Sequence, residues 1–405
     1  MSIVRPFRGV RPNNAIAGEV IAPPYDVLSR EEAADIARRY SRSFIRVTRS
    51  EIELEETADP HGPEAYQKAQ IILSEYLSDG TLHQDENPCF YLYSQSWQGR
   101  EQHGLMALCA TDEYDAGLIK KHELTRPDKE QDRTDHIQTL GAQTGLVFLA
   151  YRNDHDPLKK ALSSASVLEP VWSVTTSDSV THTLRVIDDS SLITAIQSAF
   201  EAVPALYIAD GHHRSAAASR VASLRKHSGS SNLFLAGIFP DDSLKILAYN
   251  RLVKDLNGHS TDDFIEAVSQ HFDLESTDEA VPTKSQEWTM YLRGQWYRMQ
   301  AKPNVIPEDV VGQLDVSVLQ NTVLGPILGI DNPRTNTRIS FVGGIRGHQA
   351  LSSSVDSGEA AVAFHLAPTK MSQLLDVADA DRLMPPKSTW FEPKLRGGVL
   401  VHLLE

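Results

Sequence analysis

The sequence predicts a mixed α/β protein (α+β), on three observations. Short apolar runs with strand-like composition alternate along the 405 residues with stretches whose apolar positions follow helical spacing. Hydrophobic residues make up 41% and charged residues 23% of the chain, which is typical of a soluble globular protein. No internal repeat, heptad run or low-complexity block occurs, which excludes solenoids and coiled coils. The length favours two or three domains.

The first eighty residues are expected to contain two helices and a strand. Ser29, followed by an arginine and a glutamate pair, is typical of an N-cap with an acidic first turn. Apolar positions at helical spacing from Pro63 to Tyr76 predict a second helix, which ends at the Asp79-Gly80 turn. The run Phe44–Val47 between them predicts a strand.

Further strands are predicted where apolar runs are bounded by turn residues. These runs are Cys89–Tyr93, Gly104–Ala110, Leu146–Tyr151, Thr181–Ile187 and Ala205–Ala209. Phe234–Phe239 and Ile246–Tyr249 predict a hairpin. With a change of composition after Asn257-Gly258, the pattern predicts an N-terminal α/β region (1–118), a core (119–258) and a C-terminal α/β region (259–405).

Charge and cysteine content restrict the partners and the compartment. Lys and Arg total 39 against 54 Asp and Glu, a net charge of −15, which disfavours nucleic acid as the main partner. Cys89 and Cys109 lie far apart without neighbours at metal-ligand spacing, so neither a disulfide framework nor a zinc site is indicated. No run approaches the ~20 apolar residues that a membrane span needs. We therefore expect a cytoplasmic protein without a membrane partner.

The most informative segment for chemistry is a DGHHR sequence between an apolar strand and an alanine-rich helix. Its residues are Asp210, Gly211, His212, His213 and Arg214. Gly211 permits a tight turn, and the N–H groups at the helix start would form, with Arg214, an anion pocket suited to phosphate. Asp210, at the end of the strand, is placed to accept a proton or bind a metal ion. A capped buried turn with paired surface histidines is the structural alternative, and the pattern leaves both open.

A second segment, Ile119–Arg133, has nine formally charged residues among fifteen. A run of mixed charge is usually a solvated, salt-bridged surface. Because this run follows an apolar strand and is broken by a proline, a functional role is as well supported as a solvated surface. If the segment faces the DGHHR turn, Glu123 would form a carboxylate pair with Asp210, and nearby basic side chains would neutralise phosphate oxygens. Those side chains are Lys121, His122 and Arg126.

Three more segments could contact a ligand. Ala22–Val27 contains two prolines and could line a cleft, although most such pieces are structural. Gly343-Gly344 permits close backbone approach but is also an ordinary turn. Pro385–Lys394 combines cations, hydroxyls and aromatic rings, which suits an anionic ligand or a structural loop equally. No phosphate-loop, dinucleotide-binding, zincin or α/β-hydrolase motif occurs, which disfavours those enzyme classes.

Taken together, these motifs resemble those of a bacterial family catalogued as domain of unknown function 1015. The motifs are APPYDVLS at 22–29, IKKHELTRPDKEQDR at 119–133, LYIADGHHR at 206–214, YNRLVKDLNG at 249–258, FVGGIRG at 341–347, VDSGE at 355–359 and MPPKSTWFEPKLRGG at 384–398. They cover nearly the whole chain. The family has no assigned activity.

The DGHHR turn also resembles the nucleotide-binding turn of the ParB and sulfiredoxin superfamily, which includes free L-serine kinases. The resemblance implies a ParB/sulfiredoxin-like nucleotide-binding core with additional N- and C-terminal segments. These kinases use a catalytic glutamate on an earlier segment and an aspartate just before the glycine of the turn, which implies Glu123 and Asp210 here. The residues that match the phosphate turn are Gly211, His212, His213 and Arg214.

The leading hypothesis is phosphoryl transfer from ATP or ADP, with Mg²⁺, to the hydroxyl of a small polar metabolite such as serine. In this scheme Asp210 or Glu123 accepts the hydroxyl proton, and the other carboxylate steadies metal or substrate. Two alternatives stay open, a nucleotide hydrolase that uses the same pocket and a non-catalytic, ParB-like nucleotide-binding regulator. The negative net charge makes a DNA-associated role the weakest of the three.

Overall fold

The computed structural model describes residues 2–405, which form two compact units. The first unit comprises the chain up to Leu244 together with Pro393–Glu405, and the second comprises Lys245–Glu392. The sequence predicts boundaries after residues 118 and 258. Strands that precede and follow residue 118 pair in one sheet of the first unit.

The strands are numbered here in chain order. They are β1 (Val4–Arg5), β2 (Val10–Pro12), β3 (Leu82–Gln84), β4 (Phe90–Trp97), β5 (Arg100–Ala110), β6 (Ile119–Lys120), β7 (Ala142–Gln143), β8 (Val147–Tyr151), β9 (Trp172–Thr175), β10 (Thr181–Ile187), β11 (Leu206–Asp210), β12 (Leu233–Pro240), β13 (Lys245–Leu247), β14 (Tyr249–Val253), β15 (Phe272–Thr277), β16 (Glu287–Leu292), β17 (Gln295–Ala301), β18 (Ile339–Gly343), β19 (Val362–Leu366), β20 (Trp390–Glu392) and β21 (His402–Leu403).

The α-helices are numbered in the same way. They are α1 (Ala17–Val20), α2 (Arg30–Arg39), α3 (Ile45–Thr48), α4 (Pro63–Ser78), α5 (Thr111–Asp115), α6 (Pro127–Leu140), α7 (Asp156–Ser166), α8 (Ser190–Glu201), α9 (His212–Leu224), α10 (Thr261–Ser269), α11 (Asp315–Leu319), α12 (Gly347–Asp356) and α13 (Met371–Asp379). Short 3-10 or π turns are Asn14–Ile16, Tyr25–Val27, Ser50–Glu53, Gly229–Asn232, Asp241–Ser243, Pro303–Val305, Gln320–Leu324 and Gly344–Arg346. Among residues 2–405, none of these helices combines the length and apolar character that crossing a bilayer requires.

A mixed sheet forms the centre of the first unit. Its strand order is β6-β11-β8-β12-β5-β4-β10-β9, with β1 paired to β5. The β6–β11 and β12–β8 pairs are parallel, and the other pairs are antiparallel. Buried side chains of the central strands pack against apolar residues of α7 and α8, including Leu158 and Phe200. Burial of these apolar side chains is the main driving force for folding. It also holds β11, whose last residue is Asp210, in the sheet.

The second unit is built on a separate antiparallel sheet with the order β15-β17-β16-β19-β14-β18. β13 and β20 form a small two-stranded sheet in the same unit. Trp288 and Phe364 are fully buried here, which gives the unit its own core. The fold is therefore mixed α/β in both units, which confirms the predicted class.

Most predicted elements are present. Ser29 caps α2 in a capping box: its hydroxyl accepts a hydrogen bond from the Glu32 N–H, and the Glu32 carboxylate accepts one from the Ser29 N–H at 2.7 Å. The predicted helix from Pro63 to Tyr76 corresponds to α4. The five apolar runs assigned to strands correspond to β4, β5, β8, β10 and β11.

The strand predicted at Phe44–Val47 is wrong, because Ile45–Thr48 is the short helix α3. Ile45 and Val47 are buried, whereas Arg46 between them is only partly buried, so the run has the alternation that is typical of a strand. A short apolar run of this kind fits a buried helix and a buried strand equally well.

The predicted hairpin of 234–239 with 246–249 is also wrong. β12 is hydrogen-bonded along both edges, to β5 on one side and β8 on the other, so no edge is left for the following segment. β13 pairs with β20 instead, in the second unit. The turn at Asp241–Ser243 therefore connects two units rather than two paired strands.

Gly104 in β5 offers a test of this packing. A Cβ added at this position would overlap the ring of Phe239, which is fully buried in β12. We expect Gly104→Ala to lower the free energy of unfolding by about 1–3 kcal/mol, the usual cost of overpacking. Urea unfolding followed by circular dichroism measures the change.

Gly18→Ala is the matched control for that experiment. Gly18 is exposed in α1, and an added Cβ would lie 3.4 Å from the nearest side-chain atom, on Val174, which is an ordinary contact. Because alanine is the better helix former, stability should stay equal or rise by up to about 1 kcal/mol. Equal stability of the two variants would contradict the close approach of β5 and β12.

Candidate functional site

The DGHHR segment forms a strand-to-helix turn, as the sequence predicts. Asp210 is the last residue of β11, and α9 begins at His212, so Arg214 lies in the first helical turn. Leu206–Ala209 are buried between β6 and β8, which fixes where the strand ends. The first N–H groups of a helix have no partner within the helix and attract anions.

Gly211 is required by the geometry of this turn. Its φ of +98° lies in the left-handed region that disfavours residues with a Cβ. A Cβ here would also lie 3.4 Å from the Cα of Val147 in β8, so the backbone of the turn lies against the neighbouring strand. The positive φ of Gly211 therefore favours glycine at this turn.

The charged segment 119–133 lies beside this turn. β6 pairs with β11 in parallel, with Ile119 opposite Leu206, so Glu123 and Asp210 each lie four residues beyond that pair. Two further hydrogen bonds join the segments. The His122 N–H donates to Nε2 of His212 at 3.4 Å, and the Arg126 N–H donates to Nε2 of His213 at 3.0 Å.

The two histidines of the DGHHR turn are thus acceptors for the 119–133 segment rather than a surface pair. His212 is buried and His213 is half-buried. The following helix, α6, packs on α9 through a small apolar cluster that includes Ile137, Ala217 and Val221. Backbone pairing at one end and helix packing at the other hold the segment in place.

Asp210 forms an ion pair with Lys394, whose Nζ lies 2.7 Å from Oδ2 of the carboxylate. The Lys394 carbonyl accepts a hydrogen bond from Gln95, which anchors the C-terminal segment at the same place. Burial alone would raise the pKa of the Asp210 carboxyl, yet the positive charges of Lys394 and Arg214 hold that pKa well below its usual range. Asp210 is therefore a carboxylate with weak proton affinity.

His122, Glu123 and His212 form a compact cluster at the turn. A nitrogen of each imidazole and a carboxylate oxygen of Glu123 lie within 4.8 Å of one another. Burial lowers the pKa of His122 to about 4 and places that of His212 well below its usual value. Both rings are therefore neutral at pH 7. The sequence analysis did not combine these three residues into one group.

A cavity opens beside Arg214, and its volume of about 680 Å³ includes space open to solvent. Arg214 and Arg133 both line it, and their guanidinium groups lie 5.6 and 4.2 Å from the ring centre of Tyr25, which also lines it. Two cations beside one aromatic ring are suited to an anionic ligand with a planar group. Gly145 and Leu146 also line this cavity. The Leu146 carbonyl accepts a hydrogen bond from the Arg214 guanidinium at 2.7 Å.

Arg133 is held by a buried network. Its Nε donates to Asp132 at 2.8 Å, and the same carboxylate accepts from the Tyr66 hydroxyl at 2.8 Å and contacts His61 Nδ1 at 2.8 Å. Tyr25 and Arg133 also line a second cavity of about 800 Å³. This network orients Arg133 at the junction of the two cavities.

Two residues predicted to bind phosphate have other contacts. Arg126 is exposed and makes a bidentate ion pair with Asp128, at 3.2 and 2.7 Å. The Lys121 ammonium lies 3.8 Å from the ring centre of Tyr114. Neither side chain lines the 680 Å³ cavity, whereas Arg214 does.

Several functional side chains lie in segments that the sequence analysis marked without assigning them individually. Tyr25 lies in the two-proline piece Ala22–Val27, and Lys394 ends the segment Pro385–Lys394. Arg133 is the last residue of the charged run. The contact of Asp132 with His61 could not be predicted from neighbouring residues, because the two are separated by 71 positions in the chain.

The donor groups at the turn do not match the expected Mg²⁺. Mg²⁺ prefers oxygen ligands in octahedral geometry, whereas the His122, Glu123 and His212 cluster offers two nitrogens and one carboxylate. The other nearby carboxylate, Asp210, is paired with Lys394. A magnesium ion held by protein side chains is therefore not part of the scheme developed below.

Comparison with solved structures finds distant similarity. A conserved hypothetical protein from Pyrococcus furiosus has a TM-score of 0.38 at 13% identity, over 74% of this chain and 95% of that one. A free serine kinase in complex with AMP has a TM-score of 0.36 at 11% identity, over 71% and 86%. SbnI with a C-terminal truncation, from Staphylococcus aureus, has a TM-score of 0.40 at 11% identity, over 74% and 87%. Similarity at this level does not assign a shared activity.

Comparison of the sequence with known proteins and protein families identifies the family. A search of curated proteins finds no significant match. The profile of the family described as "Protein of unknown function (DUF1015)" matches residues 4–317, which is well over half of the chain. The match spans both the 119–133 segment and the DGHHR turn, as expected from the motifs. The chain therefore belongs to the DUF1015 family.

Proposed function

We propose that the protein binds a nucleoside di- or triphosphate at the DGHHR turn and transfers a phosphoryl group to the hydroxyl of a small polar metabolite. One observation carries the proposal: the Gly211 turn directs Arg214 into a cavity that Arg133 and Tyr25 also line. Two guanidinium groups and an aromatic ring in one cavity are suited to the phosphates and the base of a nucleotide. Gly211, His212 and His213 do not line this cavity, and the start of α9 contributes to it through Arg214.

The proposed reaction is an in-line displacement at the terminal phosphorus of the nucleotide. The acceptor hydroxyl oxygen forms a bond to phosphorus, the bond to the bridging oxygen breaks, and the nucleotide leaves one phosphate shorter. The proton of the hydroxyl passes to a carboxylate. Arg214 and the N–H groups at the start of α9 stabilise the negative charge of the phosphates during this step.

Glu123 is better suited than Asp210 to accept that proton. The cations beside Asp210 lower the pKa of its carboxyl, and a group with low proton affinity is a poor general base. Glu123 is half-buried, and its carboxylate lies near the imidazole of His212, in the same turn. In this scheme the Asp210 carboxylate balances the charge of Lys394, and the ion pair between them positions the turn.

Serine and related hydroxyl compounds are the first acceptors to test. The choice rests on the resemblance of the DGHHR turn to that of free L-serine kinases.

Nucleotide binding should depend on Arg214. We expect Arg214→Gln to raise the Kd for ADP about 10- to 150-fold, since a hydrogen bond to a charged group contributes about 1.5–3 kcal/mol. Isothermal titration calorimetry measures the change, with thermal unfolding as the check that the variant folds.

Arg220→Gln is the matched control, because Arg220 lies on the same helix but is well exposed and contacts Glu130. Its affinity for ADP should equal that of the wild type. Binding by folded Arg214→Gln within twofold of the wild type would contradict the phosphate role of this arginine. Absence of binding to any nucleoside di- or triphosphate at millimolar concentration, by the wild type, would remove the whole proposal.

Turnover should depend on Glu123. We expect Glu123→Gln to lower kcat on the order of 10²- to 10⁴-fold, the usual contribution of a general base, while the Kd for nucleotide changes by a few-fold at most. The measurement follows phosphate transfer from ATP or ADP to serine and other small hydroxyl compounds, alongside calorimetry of the same samples.

Glu130→Gln provides the comparison, because Glu130 lies in the same charged segment and accepts a hydrogen bond from Thr125. This variant should retain the kcat of the wild type. If Glu123→Gln turned over as fast as Glu130→Gln, the assignment of Glu123 as the base would be wrong, even if nucleotide binding persisted.

A further inference from the structure

We propose that His122, Glu123 and His212 form a binding site for a divalent transition metal ion of the zinc type. The residues come from two segments that the sheet brings together, the chain after β6 and the start of α9. Nothing in the phosphoryl-transfer scheme requires this ion. The site is therefore an additional property of the protein, and it is tested without nucleotide.

The spacing of the donors is close to that of a three-residue metal site. One nitrogen from each histidine and one oxygen from Glu123 lie within 4.8 Å of one another. Donors at about 2.1 Å from one tetrahedral ion are about 3.4 Å apart. The widest donor pair thus needs to approach by about 1.4 Å. Glu123 has three rotatable side-chain bonds and lies in a bend outside helix and strand, so its carboxylate can make this adjustment.

The orientation of His122 is the second, independent observation. Its Nδ1 is buried and has no hydrogen-bond partner, although a buried polar atom without a partner is costly. The imidazole makes a hydrogen bond with the backbone of Ile208, which leaves Nε2 as the nitrogen engaged there. A ligating histidine usually donates its other nitrogen to a carbonyl in this way, which fixes the ring and its tautomer. A metal ion at Nδ1 would satisfy the unpaired atom.

His212 presents a compatible tautomer. Its Nε2 accepts the hydrogen bond from the His122 N–H, so this nitrogen carries a lone pair. At 3.4 Å this bond is long, and a metal ion at Nε2 would replace it, because an imidazole nitrogen has a single lone pair. The two rings are perpendicular, with their centres 4.5 Å apart, which brings the two imidazoles side by side without stacking.

The donor set selects the class of metal. Two imidazole nitrogens and one carboxylate suit Zn²⁺ and its neighbours in the first transition row, whereas Mg²⁺ and Ca²⁺ prefer oxygen ligands. Three protein ligands leave at least one coordination position open, as in catalytic rather than structural zinc sites. Since a carboxylate has two oxygens, Glu123 can bind the ion through one of them and keep the other free of the metal.

Titration of the nucleotide-free, full-length protein with ZnCl₂ tests the site. After removal of bound metal with a chelator, we expect one Zn²⁺ per chain by isothermal titration calorimetry, with a Kd at least 100-fold lower than for Mg²⁺. Co²⁺ provides a spectroscopic probe, because its visible absorption intensifies when nitrogen ligands in a four- or five-coordinate site replace water.

His122→Ala should raise the Kd for Zn²⁺ at least 100-fold and abolish the Co²⁺ absorption. His227→Ala is the matched control: this histidine is exposed, contacts Asp112 and lies outside the cluster, and Zn²⁺ binding should be unchanged. Because His122 is buried and its variant could fail to fold, Glu123→Gln at the half-buried position is a second ligand variant, with an expected loss of at least tenfold.

Two results would overturn the proposal. One is wild-type protein that takes up no Zn²⁺ at a single site. The other is a folded His122→Ala or Glu123→Gln variant that binds Zn²⁺ as the wild type does. Both outcomes are separate from the phosphoryl-transfer proposal, because nucleotide is absent. Binding of Zn²⁺ without binding of nucleotide would support the metal site and contradict the phosphoryl-transfer proposal. Binding of nucleotide without binding of Zn²⁺ would contradict the metal site alone.

Discussion

The parallel pairing of β6 with β11 is the contact on which the candidate site depends. These strands share only two paired positions, yet the pairing places the residues after β6 beside the turn that follows β11. Hydrogen bonds from the backbone of His122 and Arg126 to the two turn histidines extend the connection beyond the strands. If this edge of the sheet separated, the carboxylate of Glu123 would lose its place beside the DGHHR turn, and neither proposed chemistry could be assembled.

Charge and burial give the side chains of the turn different properties. Arg214 and Lys394 lie beside Asp210 and keep its carboxylate ionised. The buried imidazoles of His122 and His212 are kept neutral by the cost of burying their charge. The proposed anion site rests on the guanidinium groups, and the proposed metal site rests on the neutral nitrogens and the Glu123 carboxylate.

Features that depend on local sequence could be predicted. The capping residue Ser29, the glycine turn at residue 211 and the placement of Arg214 in the first turn of a helix all follow from neighbouring residues. The helix at Ile45–Thr48 could not be predicted, because a four-residue run is too short to show helical periodicity. The ion pair of Asp210 with Lys394 joins residues 184 positions apart, so only the folded chain reveals it.

The crystal structure of the protein with ADP is the most direct test of the central claim, that the DGHHR turn is a phosphate-binding site. The account predicts diphosphate oxygens within hydrogen-bonding distance of the N–H groups that follow Gly211 and of the Arg214 guanidinium, with the base in the cavity that Tyr25 lines. ADP bound elsewhere in the chain, with this turn vacant in the same crystals, would contradict it.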